Sequence, residues 1–189
     1  MNTPAHLLIG AAAFSRRDER RITAAAILGG LFPDLSLYLM AGVSMFILEI
    51  SPQRVFNELY YSDTWQQVFA IDNSFVLFGA LLAWAIWAKR LAWIAFSGAA
   101  LLHLALDFPF HGEDARMHFW PVTDWKFESP WSYWDTRAGA NIIGPLEAGL
   151  SIVASVVLWV RHTSWAFRTF VLALLALELM SSGFWRFIF

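Results

Sequence analysis

Apolar residues dominate six stretches of the chain, roughly 4–15, 22–50, 74–88, 91–110, 142–160 and 165–189. Two polar, aromatic-rich connections separate them, roughly 51–73 and 111–141. A full helical crossing of a bilayer needs ~20 apolar residues. Most of the stretches approach that length. The pattern predicts an all-α, polytopic membrane helical bundle of five to six apolar helices, forming a single domain over residues 1–189. Met1 to Ser15 is too short to cross and is expected to enter only part of the bilayer, and 74–88 is also short. Pro33, next to Asp34, is expected to break the second stretch in its middle. Interrupted helices at membrane depth line a cavity or are buried in protein. No internal repeat or low-complexity tract is visible.

Composition supports the same class. Of 189 residues, 58% are hydrophobic and 15% charged, with a mean hydropathy of +0.52. Soluble domains run nearer 45–50% apolar and about 25% charged. The net charge of −2 and the lack of a basic stripe argue against nucleic acid as a main partner. There is no cysteine, so disulfides and thiolate ligands are excluded, and any metal site must use His, Asp, Glu or Asn. Many of the 11 tryptophans lie near segment ends (Trp65, Trp93, Trp120, Trp125, Trp131, Trp134, Trp165, Trp185), where indole rings favour the headgroup level. The N-terminus is not patterned as a secretory signal, because its charge, Arg16 to Arg21, follows the apolar run. Placing the basic turns Arg16–Arg21, Lys89–Arg90 and Arg161–Arg168 on the cytoplasmic side is self-consistent, and puts both long loops and both termini outside.

Depth along the segments brings the chemistry into view. At about 1.5 Å of rise per residue, His6, Asp34, Asp72, His103, Asp107 and Glu147 fall roughly 15–24 Å above the basic turns. Six ionisable residues from five segments thus share one layer in the outer half of the bilayer. His103 and Asp107 are four residues apart on one helix face. Each is costly in hydrocarbon without a partner. Imidazole nitrogen and carboxylate oxygen suit Zn²⁺, and also Mn²⁺ or Fe²⁺. With His6 and Asp34, they make a candidate divalent-metal site with an open position for water. Just above lies the dense run His111, Glu113, Asp114, Arg116 and His118, with Trp120 following. Asp72, His111 and His118 are candidates for base, acid or extra ligand. Arg116 and Trp120 are candidates for holding an anionic substrate. Each residue also has a plain structural reading. His6 can be a core histidine, Asp34 and Asp72–Asn73 helix caps, Glu147 an acid favoured near a helix N-terminus, and the 111–118 run a solvated loop. Glu49 and Glu178 are less informative.

The ordered motifs Thr3-Pro4-Ala5-His6-Leu7-Leu8-Ile9-Gly10, Gly30-Leu31-Phe32-Pro33-Asp34, His103-Leu104-Ala105-Leu106-Asp107-Phe108-Pro109 and Phe119-Trp120-Pro121 span most of the chain. Together they resemble the membrane-bound metal-dependent hydrolases, also described as LexA-binding inner-membrane hydrolases. That family is similar to zinc-dependent phospholipase C and single-strand nucleases. The resemblance implies an all-helical fold, metal ligation by His6, Asp34, His103 and Asp107, phosphoester hydrolysis, and a bacterial inner-membrane location. One departure stands out. Many relatives carry a His-rich stretch ahead of the third segment, where this chain has Phe69-Ala70-Ile71-Asp72-Asn73. Asp72 stands there either as a replacement ligand or as the mark of a degenerate site.

The expectation is therefore a membrane-embedded, metal-dependent hydrolase of a lipid or lipid-linked ester, with phosphoesters favoured. Two other classes compete. A small transporter or metal-handling protein would also place ionisable groups inside the bundle. A non-enzymatic scaffold would use them to join helices.

Overall fold

The computed structural model describes residues 1–184. The end of the last apolar stretch, with Trp185, lies outside the described residues. The described chain is helical, with no strand among these residues. Its helices are α1 (Thr3–Phe14), α2 (Arg20–Phe46), a single turn α3 (Pro52–Arg54) running into a π-helical turn (Val55–Leu59), α4 (Asp63–Asp72), α5 (Phe75–Trp87), α6 (Leu91–Asp107), α7 (Ala140–Arg161) and α8 (Trp165–Phe184). Among the described residues, four stretches are long and apolar enough to cross a membrane: Arg20–Phe46, Asp63–Trp87, Leu91–Phe110 and Ala140–Arg161. Large apolar side chains cover their outer faces, among them Leu39, Phe46, Val153 and Val160. A soluble monomer rarely exposes so much contiguous apolar surface.

Short α1 is the hub of the bundle. It packs against α2, α6, α7 and α8. Pro4 opens it, at a position where the missing N–H costs nothing. Leu7, Leu8 and Ala11 pack against Ala154 and Leu158 of α7 and Val171 and Leu174 of α8. The other end of α1 is closed from α7: Arg161 Nη1 donates to the carbonyls of Ala12 (2.7 Å) and Ser15 (3.0 Å). These are orphan carbonyls that a helix end must place somewhere.

Within a bilayer, apolar burial drives helix association weakly, and close backbone packing takes over. Gly29 and Gly30 serve that purpose. A Cβ on Gly29 would lie 2.1 Å from the Phe96 carbonyl oxygen of α6. A Cβ on Gly30 would lie 2.9 Å from the His6 carbonyl oxygen of α1. Two hydrogen-only positions in succession thus let α2 touch both α1 and α6, bringing the polar layer together.

Several sequence expectations change. Pro33 does not break its helix: α2 runs through it for 27 residues. The ring removes the N–H that would serve the Gly29 carbonyl, and two carbonyls nearby are tied to other helices. The Gly30 carbonyl faces His103 Nδ1 (2.7 Å), and the Pro33 carbonyl accepts from Asn73 Nδ2 (3.1 Å). Asp34 is consequently a mid-helix residue and caps nothing. The connection 51–73 is largely helical, because α4 fills its second half. Ser74, not Asp72 or Asn73, caps α5, accepting from the Leu77 N–H at 3.0 Å. Glu147 lies two turns inside α7 rather than at its start. Trp65 is buried against Phe69 instead of lying on an outer face.

Candidate metal centre

α6 places His103 and Asp107 side by side, with Nε2 3.3 Å from Oδ2. α1 inserts His6 across them. Its ring stacks on that of His103, with centroids 3.5 Å apart and planes at 11°. His6 Nε2 lies 2.9 Å from Asp107 Oδ1. One ligand atom from each of His6, His103 and Asp107 lies within 4.8 Å of the other two, and all three residues are buried. These residues could hold a metal ion. Two imidazoles and a carboxylate match the donor set of zinc sites with an open position.

The tautomer of His103 sharpens the case. A carbonyl can only accept, so the 2.7 Å contact to Gly30 puts the proton on Nδ1. In the neutral ring, Nε2 then carries a bare lone pair. That atom is buried and has no hydrogen-bond partner. It faces Asp107 at 3.3 Å and Asp34 Oδ1 at 3.7 Å. A lone pair set against two carboxylates needs a positive charge between them, either a proton or a metal ion. A backbone carbonyl on the far nitrogen is also the usual way a ligating histidine is oriented.

The first three residues each hold a carboxylate. The Met1 amino group donates to Asp107 Oδ1. The Asn2 N–H donates to Glu147, and its amide to Glu178 Oε1 at 3.3 Å. The Thr3 hydroxyl donates to Asp34 Oδ2, with the Tyr38 hydroxyl 2.7 Å away. Asp34 thus borders the His6–His103–Asp107 group, with one oxygen turned to Thr3.

His111, in the loop after α6, spans two acids. Nε2 is 3.2 Å from Asp107 Oδ2 and Nδ1 is 2.7 Å from Asp114 Oδ2. Burial works against a charged ring here, but Asp114 and Asp107 outweigh it and push its pKa up to about 9. His111 is therefore an imidazolium at neutral pH, with both nitrogens donating. Asp114 also accepts from Trp134 Nε1 at 3.2 Å. Burial raises the Asp114 pKa and His111 lowers it, with a net shift downward.

The remaining candidates stand apart from the group. His118 lies against Phe75 and Phe108, with Nδ1 3.0 Å from the Arg116 carbonyl. Burial, reinforced by the charge of His111, pushes its pKa down to about 4, so it is neutral. Asp72 ends α4 and accepts from Asn73 Nδ2 at 2.8 Å. Trp120 offers its carbonyl to the Ser74 hydroxyl. Glu113 is exposed. Arg116 is buried, with its guanidinium 4.7 Å over the Phe69 ring and Nη1 3.4 Å from the Pro33 carbonyl. Its Nε has no hydrogen-bond partner. Burial opposes its charge, but Tyr60, Asp34 and Asp72 more than compensate, and its pKa is raised.

Sequence reasoning missed the contacts that Met1, Asn2 and Thr3 make with the carboxylates, and it left Glu178 without a partner. The i,i+4 spacing was the signal that found His103 and Asp107. No family model, no curated protein and no solved structure matches this chain.

Proposed function

We propose that the protein is a membrane-embedded, metal-dependent hydrolase acting on a lipid or lipid-linked ester, with phosphoesters favoured. The observation that carries this reading is the buried, unpartnered Nε2 of His103, facing two carboxylates beside a stacked second imidazole. His6, His103 and Asp107 would hold the metal, with Asp34 at its edge. Zn²⁺ suits the donors best, and Mn²⁺ or Fe²⁺ is compatible. A divalent metal there would supply an activated water nucleophile near neutral pH.

The chain's own groups take the other roles. His111 orients Asp107 and keeps a proton at Nε2 that can pass to a departing oxygen. It is better placed for this than Asp72 or His118. Arg116 is a buried cation with unused donor capacity, suited to a phosphoryl oxygen. Apolar helix faces admit a lipid-borne substrate laterally. The basic turns favour an orientation with the site in the outer half of the membrane, and a bacterial inner membrane fits that arrangement.

The test is turnover of phospholipid and lipid-phosphate substrates by the detergent-purified protein, with and without Zn²⁺ or Mn²⁺. Activity should vanish on chelation and in His103→Ala. Turnover that survives both would sink the proposal. A second reading has one observation in its favour. The Met1 ammonium already neutralises Asp107, as a non-enzymatic bundle joined by polar contacts would require. That reading predicts no bound metal.

A further inference from the structure

A cavity of about 650 Å³ opens between α7, α8 and the turn 133–137. It is lined by Asn2, Tyr133, Trp134, Asn141, Glu147 and Glu178, among others, and by none of His6, His103 or Asp107. Its size is that of a small-ligand pocket. We propose that this cavity is a binding site for a primary ammonium group, held by Glu147 and Glu178. The inference does not depend on metal binding or on hydrolysis.

The chemistry follows from what the two acids lack. Glu147 and Glu178 come from neighbouring helices, lie close enough to influence each other, and are 2% and 4% exposed. Asn2 serves both, through its N–H to Glu147 and its amide to Glu178 Oε1. Glu178 Oε2 is buried and, among the described residues, has no hydrogen-bond partner. The two carboxyl groups also lie within hydrogen-bonding reach of each other, and two buried acids that close call for a shared proton or an added cation. The nearest cations are otherwise engaged. Arg137 at the rim is bonded to Asp135 through Nε (3.1 Å) and Nη2 (2.9 Å). The Met1 ammonium is bonded to Asp107 and reaches both glutamates through its charge alone, so it gives neither a donor.

A ligand that completes the site must bring positive charge and N–H donors together. A primary ammonium has three such donors. A quaternary ammonium has none and would leave Oε2 unsatisfied. Tyr133 and Trp134 line the cavity with aromatic surface, which suits an organic cation better than a hydrated metal ion. Trp134 is fixed in place by its bond to Asp114. The ammonium could belong to an aminophospholipid headgroup or to a free amine, and these two sources differ in how they reach the cavity.

The test uses the full-length protein, stripped of metal by chelation, so that binding is read without turnover. Ethanolamine and choline are titrated calorimetrically at matched ionic strength. Lipids retained by protein from nanodiscs of phosphatidylethanolamine or phosphatidylcholine are identified by native mass spectrometry. Binding of ethanolamine at least tenfold tighter than choline, weakened at least tenfold by Glu178→Gln, supports the site and points to a free amine. Selective retention of phosphatidylethanolamine, lost in Glu178→Gln, supports it with the lipid as source. Asn141→Trp, a plug placed at the exposed rim away from the acids, should block either ligand and stands in if Glu178→Gln does not fold. Binding that ignores the choice of amine, or that survives both substitutions, overturns the proposal. So does stoichiometric uptake of added Zn²⁺ that is lost in Glu178→Gln but kept in His103→Ala.

Discussion

Gly29→Ala adds one methyl group at the tightest crossing in the bundle. The new Cβ would meet the Phe96 carbonyl oxygen at 2.1 Å, its carbon at 2.8 Å and its Cα at 2.9 Å. All three are backbone atoms, so no rotamer change relieves the clash. A tolerable carbon–oxygen contact is about 3.3 Å, so α2 and α6 must part by roughly 1.2 Å. The same movement stretches the 2.7 Å contact between His103 Nδ1 and the Gly30 carbonyl beyond hydrogen-bonding range. Overpacking costs about 1–3 kcal/mol, the lost buried bond about 1–3, and alanine returns up to ~1 through helix propensity. The net expectation is a loss of about 3 kcal/mol, within a range of about 1–6, together with weakened metal binding as His103 loses its orientation. Gly42 and Gly149 are internal controls, since a Cβ at either meets nothing within 4 Å. Alanine there should stabilise by about 0.5–1 kcal/mol. Unfolding in mixed detergent and SDS measures all three variants. If Gly29→Ala is as stable as Gly149→Ala, the close α2–α6 crossing is wrong.

Other outcomes follow from the same geometry. Asp107→Asn removes the anion shared by Met1, His6, His103 and His111, and should destabilise the fold by about 3–5 kcal/mol, read by the same SDS titration. Asp114→Asn leaves the metal group intact but loosens His111 and so Asp107, and should weaken zinc affinity about 10–100-fold in competition with a chelating dye. Pro33→Ala restores an N–H inside a continuous helix and should raise the thermal midpoint, because proline costs up to ~3 kcal/mol in a helix interior. A fall in the midpoint would mean that the proline shapes the site after all.

The helical class was legible because apolar run length suffices to identify candidate crossings. His103 and Asp107 were legible because i,i+4 geometry is local. His6 and Asp34 were reached through their depth and the ordered motifs alone, since their approach in space depends on Gly29 and Gly30 letting α1, α2 and α6 meet. The continuity of α2 was hidden. Proline is a breaker in isolation, and the donors on Asn73 and His103 that serve the neighbouring carbonyls come from elsewhere in the chain. The helical character of 63–72 was masked by polar residues that face other protein. Gln66, for example, donates to the Tyr60 carbonyl and accepts from Lys126. The roles of Met1, Asn2 and Thr3 are tertiary contacts that no sequence pattern announces.

Metal content is the most direct test of the central claim. The detergent-purified protein should carry near-stoichiometric zinc or manganese by elemental analysis, and the His103→Ala/Asp107→Ala double variant, folded by circular dichroism, should carry none. Metal-free wild-type protein that also fails to take up zinc on reconstitution would contradict the account. The buried imidazoles and carboxylates would then be contacts that join helices.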